Sequence, residues 1–140
     1  MLVEISAGAV VFRQEIGSAR LYLLLQYGGH HWDFPKGNVE KNETAEVTAR
    51  REIAEETGIQ DIKFIPGFAE KISYFYRRNR QTVSKEVMFL LAETRTSKVI
   101  LSFEHIGSEW LDYNKAYERL IYRNAKTILE KAERFLSTQE

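Results

Sequence analysis

Gly37-Asn-Val-Glu-Lys-Asn-Glu43, Thr44-Ala-Glu-Val-Thr-Ala-Arg50 and Arg51-Glu-Ile-Ala-Glu-Glu-Thr-Gly-Ile59 run together as one 23-residue stretch. Its second part reads as a helix: Thr44–Thr57 has few strand formers and no internal Gly or Pro. Ala45, Ala49 and Ile53 recur every fourth residue and form an apolar stripe to bury, and Gly58 stands where such a helix stops. On that helix Glu52, Glu55 and Glu56 occupy i, i+3 and i+4, so their carboxylates share one face about 5–6 Å apart. Three carboxylates that close repel one another unless a cation sits among them, and hard cations such as Mg2+ prefer carboxylate oxygen. A solvated acidic face is the ordinary reading of such a triplet, but it explains neither Gly37 and Glu43 at their distances nor Arg51 just ahead. Upstream, Trp32–Asn38 reads as an ordered loop whose Pro35 and Gly37 bring backbone close to a ligand.

Working outward, Ala7–Phe12 and Leu21–Leu25 are apolar runs of strand length, separated by the turn residues Glu15–Ser18. Ile62–Ile65 is a short strand ended by Pro66 and Gly67. The segments 68–77 and 83–93 pair as a hairpin across Arg78-Asn79-Arg80, and Glu109–Leu111 is a last strand. Tyr113–Leu120 reads as a short helix. From Arg123 onward Ala125, Ile128, Leu129, Ala132 and Phe135 mark an amphipathic C-terminal helix. Alternate strand residues share a face, so Tyr74 and Tyr76 point one way and Phe75 the other; Phe75 is assigned to the core and the tyrosines to an exposed platform. Arg77, Arg78 and Arg80 read as a solvated hairpin tip.

The chain of 140 residues suits one domain spanning 1–140. Lys plus Arg and Asp plus Glu number 20 each, so no global field draws in nucleic acid or an anionic membrane; chemistry must come from local charge. No cysteine is present, which excludes disulfides, thiolate zinc sites and a cysteine nucleophile. His30, His31 and His105 lack helical metal-ligand spacing. No apolar run reaches membrane-spanning length, and Met1–Ile5 lacks the form of a signal peptide. A cytoplasmic protein, working as a monomer, is the expectation.

The pattern G, five residues, E, seven residues, R-E-aliphatic-x-E-E-x-G-aliphatic resembles the signature of the Nudix hydrolases at every fixed position. At about 7 % per position, the average share of Gly, seven matches by chance are on the order of 10⁻⁸. The resemblance implies a mixed sheet sandwiched between helices, an α/β/α sandwich. It implies water attack on a pyrophosphate bridge, where positioning and charge neutralisation matter more than covalent help. It also implies Mg2+ (or Mn2+) held by Glu52, Glu55 and Glu56, and a structural ion pair between Glu43 and Arg51.

Leu23–Glu40, Ile72–Tyr76, Ser84–Val87 and Ser102–Leu111 resemble the asymmetrical diadenosine tetraphosphate hydrolases within that family. This likeness implies a small-molecule nucleotide substrate split into ATP and AMP. Lys36 and Lys85 then grip phosphates beside Gly37, and His31 lines the phosphate site. Tyr76, with Tyr74 the alternative, stacks on a base. Glu104 is a further metal ligand or the base that activates water. Two other readings stand beside this one. Pyrophosphate removal from an RNA 5′ end would engage the hairpin arginines, although nucleic acid is not the expected partner. A non-catalytic nucleotide sensor would need no intact carboxylate set.

Overall fold

The computed structural model describes residues 1–139, and among these an eight-stranded mixed sheet forms the middle layer. Its spine is β1 (Leu2–Arg13), which runs parallel to β7 (Gln81–Glu93) from Leu2 opposite Val83 to Phe12 opposite Glu93. The other edge of β1 pairs with β4 (Lys36–Asn38) and, at its end, with β2 (Leu21–Tyr27). β3 (Trp32–Asp33) and β8 (His105–Asp112) pair with β2, while β5 (Lys63–Phe64) and β6 (Glu70–Arg78) pair with β7. The stretch expected as one loop, Trp32–Asn38, thus holds two short strands, because its backbone is captured by β2 and β1.

From Ser6 to Phe12 both faces of the spine are buried, which is why Ala7–Phe12 is an almost unbroken apolar run. Ala9, Val11, Leu23 and Leu25 meet Ile53 of α1 (Ala45–Thr57) on one face. Val10, Phe12, Tyr22, Leu24 and Leu91 meet α2 (Tyr113–Arg119) and α3 (Arg123–Thr138) on the other. This is the expected α/β/α sandwich. α1 starts where the Thr44 side chain accepts from the Val47 N–H and stops at Gly58 with φ 77°, a left-handed cap that glycine adopts without strain. In α3, Leu136 takes a fully buried place and Phe135 packs half-buried against Phe68.

One assignment is overturned. Phe75 is not core but 68 % exposed. It pairs with Ser84, which pairs with Val3, so it lies on the face of β6 and β7 that α1 covers elsewhere. At 13 residues α1 does not extend that far, and Val3 and Ile5 are exposed there too. Tyr74 and Tyr76 lie on the opposite face with Ile72 and are half-buried. The hairpin closes on Asn79 and Arg80, both with positive φ, the two-residue turn whose twist suits paired strands.

Candidate functional site

The three helix glutamates do not share one environment. Glu56 is buried, with Oε1 3.4 Å from the Tyr27 hydroxyl and 3.0 Å from His105 Nε2. Its Oε2 is buried without a hydrogen-bond partner among the described residues. Burial, and then the proximity and charge of Glu52 beside it, push the Glu56 carboxyl up to about 9. Glu52 is mostly buried against β4: a Cβ on Gly37 would fall 2.0 Å from its carboxyl carbon, so any larger residue there would push the Glu52 carboxylate out of its place. Glu55 is turned outward, its side chain 58 % exposed and 3.4 Å from Arg51. Among the described residues no three acidic or histidine side chains stand close enough to form a finished metal site. The donor set nonetheless fits a divalent cation: two adjoining carboxylates on one helix, one of them with an orphaned buried oxygen, bordered by Glu104 across the groove.

Arg51 organises the other side of the groove. Its Nε and Nη2 donate to the two oxygens of Glu43 at 2.8 and 2.9 Å, while Nη1 donates to Glu52 at 2.8 Å and Nη2 to the Asn38 carbonyl at 3.0 Å. The bidentate fork fixes geometry as well as charge. Glu43 also accepts from the Glu40 N–H and the Thr48 hydroxyl. Arg51, followed by these neutral donors, holds its carboxyl down at about 2. The guanidinium itself is raised, mainly by Glu43. Helix, β4 and the intervening turn are thereby clamped together.

A groove of about 500 Å³ runs past Gly37, Glu52 and Glu104 to Lys85. At Lys36 it adjoins a second cavity of about 450 Å³, lined by His31, Asp33, Tyr74, Phe89 and Tyr122 among others. Lys36 donates to Asp33 at 2.8 Å; burial pulls its ammonium pKa down, but Asp33 outweighs this and the net shift is upward. The lysine therefore stays charged between the two spaces. Lys85 approaches Glu4 and Asn38 at 3.4 and 3.3 Å. Of the two tyrosines, Tyr74 lines the cavity, whereas Tyr76 donates its hydroxyl to Glu4 at 2.5 Å and does not.

Four residues that sequence reading did not single out belong to this region. Tyr27 stacks on His31 at 5.2 Å and meets His105 edge-on at 4.5 Å, and His31 meets Tyr122 at 5.8 Å. An unbroken row of rings thus joins Glu56 to the cavity. Tyr27 donates to the Phe34 carbonyl at 3.1 Å, and burial, then Glu56, raise its phenol pKa. Asp33 anchors Lys36. Tyr122 arrives from the junction of α2 and α3, far along the chain; its one sequence signal is an aromatic residue between two helices. His105 is buried beside Glu104, and burial lowers its imidazole pKa against the pull of Glu104 and Glu52.

The family model of the NUDIX domain matches residues 3–132. The chain is 33 % identical, over 94 % of its own length and 94 % of the relative's, to the asymmetrical bis(5′-nucleosyl)-tetraphosphatase of Mus musculus. A solved structure of a C. elegans Ap4A hydrolase binary complex matches with TM-score 0.80 at 28 % identity, covering 96 % of this chain and 98 % of that one. Similarity to an RNA pyrophosphohydrolase of Caulobacter vibrioides is more local, 47 % over 36 residues, or 26 % of this chain and 21 % of that protein. Among the described residues no helix is long and apolar enough to cross a membrane. A likeness that runs from β1 into α3, well beyond the helix that carries the glutamates, makes this chain a member of the Nudix family.

Proposed function

We propose that this Nudix pyrophosphohydrolase cleaves dinucleoside polyphosphates, with diadenosine tetraphosphate hydrolysed to ATP and AMP. The observation that carries the reading is the pairing of two spaces at Lys36: an aromatic cavity sized for a nucleoside, and a carboxylate groove beside it. Near-full-length similarity to a tetraphosphatase supports the same substrate. In this reading one base lies between Tyr74 and Tyr122, and each stacking contact contributes about 1–3 kcal/mol. Lys36 and Lys85 take the phosphates as point charges. Nudix enzymes depend on divalent metal; here Glu52, Glu55 and Glu56, together with Glu104, would hold Mg2+, or Mn2+ in its place. That cation supplies charge neutralisation and a more acidic attacking water. Glu104, exposed on the opposite wall, would be a further metal ligand or the base that takes the proton of the attacking water. The bridge oxygen then leaves with one nucleotide, while the water oxygen stays on the other.

The test is incubation with diadenosine tetraphosphate and Mg2+ in ¹⁸O-labelled water, followed by separation of products. ATP plus AMP, one of them labelled, is the expected result and identifies the phosphorus attacked. Symmetric cleavage to two ADP, or no turnover, overturns the reading. The alternative substrate is a triphosphate-ended RNA, favoured by the local likeness to an RNA pyrophosphohydrolase. Its binding would fall steeply with salt through phosphate contacts; a flat salt dependence speaks for the dinucleotide.

A further inference from the structure

Among the described residues Glu56 is the helix glutamate that keeps a buried oxygen without a hydrogen-bond partner. Oε1 faces the Tyr27 hydroxyl at 3.4 Å and His105 Nε2 at 3.0 Å, the latter off the line of a finished hydrogen bond. Oε2 has no partner among the described residues. His105 is itself gripped on its other nitrogen, where Nδ1 lies 3.0 Å from Ser102 Oγ. A neutral imidazole carries one N–H, and a carboxylate needs a donor. The Ser102 hydroxyl can donate to Nδ1, which leaves the proton on Nε2, facing Glu56. The same segment is strapped to the end of α1 through its backbone: the Ile100 N–H donates to the Thr57 carbonyl at 2.9 Å and the Ser102 N–H to the Glu56 carbonyl at 3.3 Å. His105 follows Glu104 directly, so a single residue ties the loop that carries one rim carboxylate to the buried carboxylate of the helix.

We infer that His105, oriented by Ser102, is a positioning residue that engages Oε1 of Glu56 and thereby presents Oε2 to the divalent cation. Carboxylate ligands of metal sites are set by such outer partners, whose loss costs about 10–100-fold in metal affinity or activity. The inference rests on the proposed role of Glu56 as a metal ligand.

The experiment measures Mn2+ binding by the electron paramagnetic resonance signal of free Mn2+, with wild type, H105A, H105Q and S102A, alongside kcat and KM for diadenosine tetraphosphate. The amide nitrogen of Gln reaches about as far as Nε2 and keeps a donor there. The expected outcome is a roughly 10–100-fold weaker Mn2+ Kd in H105A, largely restored in H105Q, with a smaller loss in S102A. kcat at fixed Mn2+ should fall with KM little changed, because the aromatic cavity stays intact. H105Q keeps the test decisive if H105A fails to fold. Wild-type Mn2+ affinity in both His105 variants overturns the inference alone, and imidazole nitrogen coupling to bound Mn2+ overturns it in favour of direct ligation. A wild-type protein that binds no Mn2+ brings down the role of Glu56 as well.

Discussion

The carboxylate groove and the aromatic cavity touch at one lysine, yet they are built in opposite ways. The carboxylate wall of the groove comes from consecutive sequence: Gly37, Arg51 and Glu52, with Glu43 and Glu56 beside them, lie within one turn-and-helix unit clamped by a single guanidinium, and Lys85 and Glu104 complete the groove from farther along the chain. The cavity is gathered from β3, β4, β6, β7 and the α2–α3 junction, and its defining contacts are faces of rings. On the proposed function, the reaction class is encoded locally and the substrate globally. Mutations should separate along the same line, with the groove setting kcat and the cavity setting KM.

The largest effect should come from Glu56→Gln, which removes the charge of the buried carboxylate. A metal contributes several kcal/mol of transition-state stabilisation, so kcat should fall roughly 10³-fold with KM nearly unchanged. A parallel rise in KM would show that groove and cavity are not independent. Next in size is Tyr74→Ala, expected to raise KM roughly 5- to 150-fold through loss of about 1–3 kcal/mol of stacking, with kcat preserved. Tyr76→Ala should leave KM within about 2-fold, as a residue bound to Glu4 outside the cavity; the reverse ranking would move the base along β6.

Metal and pH sharpen the groove's side of the comparison. The Glu56 carboxyl titrates higher in the fold than in the unfolded chain, so folding favours its protonated form. Its favourable contribution is complete below about pH 4.5 and is lost as pH rises toward about 9. A cation that takes the place of this proton should then raise Tm more at pH 8 than at pH 6. At a hundredfold excess over Kd the gain is about 2.7 kcal/mol, or roughly 5–10 °C. Differential scanning fluorimetry with and without Mg2+ or Mn2+ reads this directly; equal gains at both pH values would show that Glu56 is not protonated in the metal-free fold. The smallest effect is reserved for Phe75→Ser, remote from both spaces and exposed. It should change stability by no more than about 0.5 kcal/mol in a urea melt, with activity untouched.

The helix with its stop and the sheet hairpins were legible in the chain, because each depends on residues near in sequence, whereas the ion pair of Glu43 with Arg51 was implied only by the family resemblance. The spacing also put Glu52, Glu55 and Glu56 on one face, but it could not say that Arg51 would draw Glu55 outward while Glu56 sank among Tyr27 and His105. Phe75 shows the limit of alternation: period two says that it opposes Tyr74 and Tyr76, not which face a 13-residue helix will cover. Tyr122 and Asp33 were silent because their roles depend on partners from other elements of the sheet and helices.

The parallel pairing of β1 with β7 has a consequence for how the protein is made. Leu2 finds Val83 only after most of the chain exists. At ribosomal rates of about 5–20 residues per second, the apolar flank of β1 waits roughly 4–16 s for its neighbour. β4, which places Gly37 over Glu52, leans on that same strand. A nascent chain with its glutamate helix already synthesised thus holds β1 to β4 but lacks β7, which flanks β1 along almost its whole length. During that interval the chain exposes an unpaired apolar strand, and truncation or stalled synthesis before β7 is complete should yield aggregates rather than a partly active enzyme.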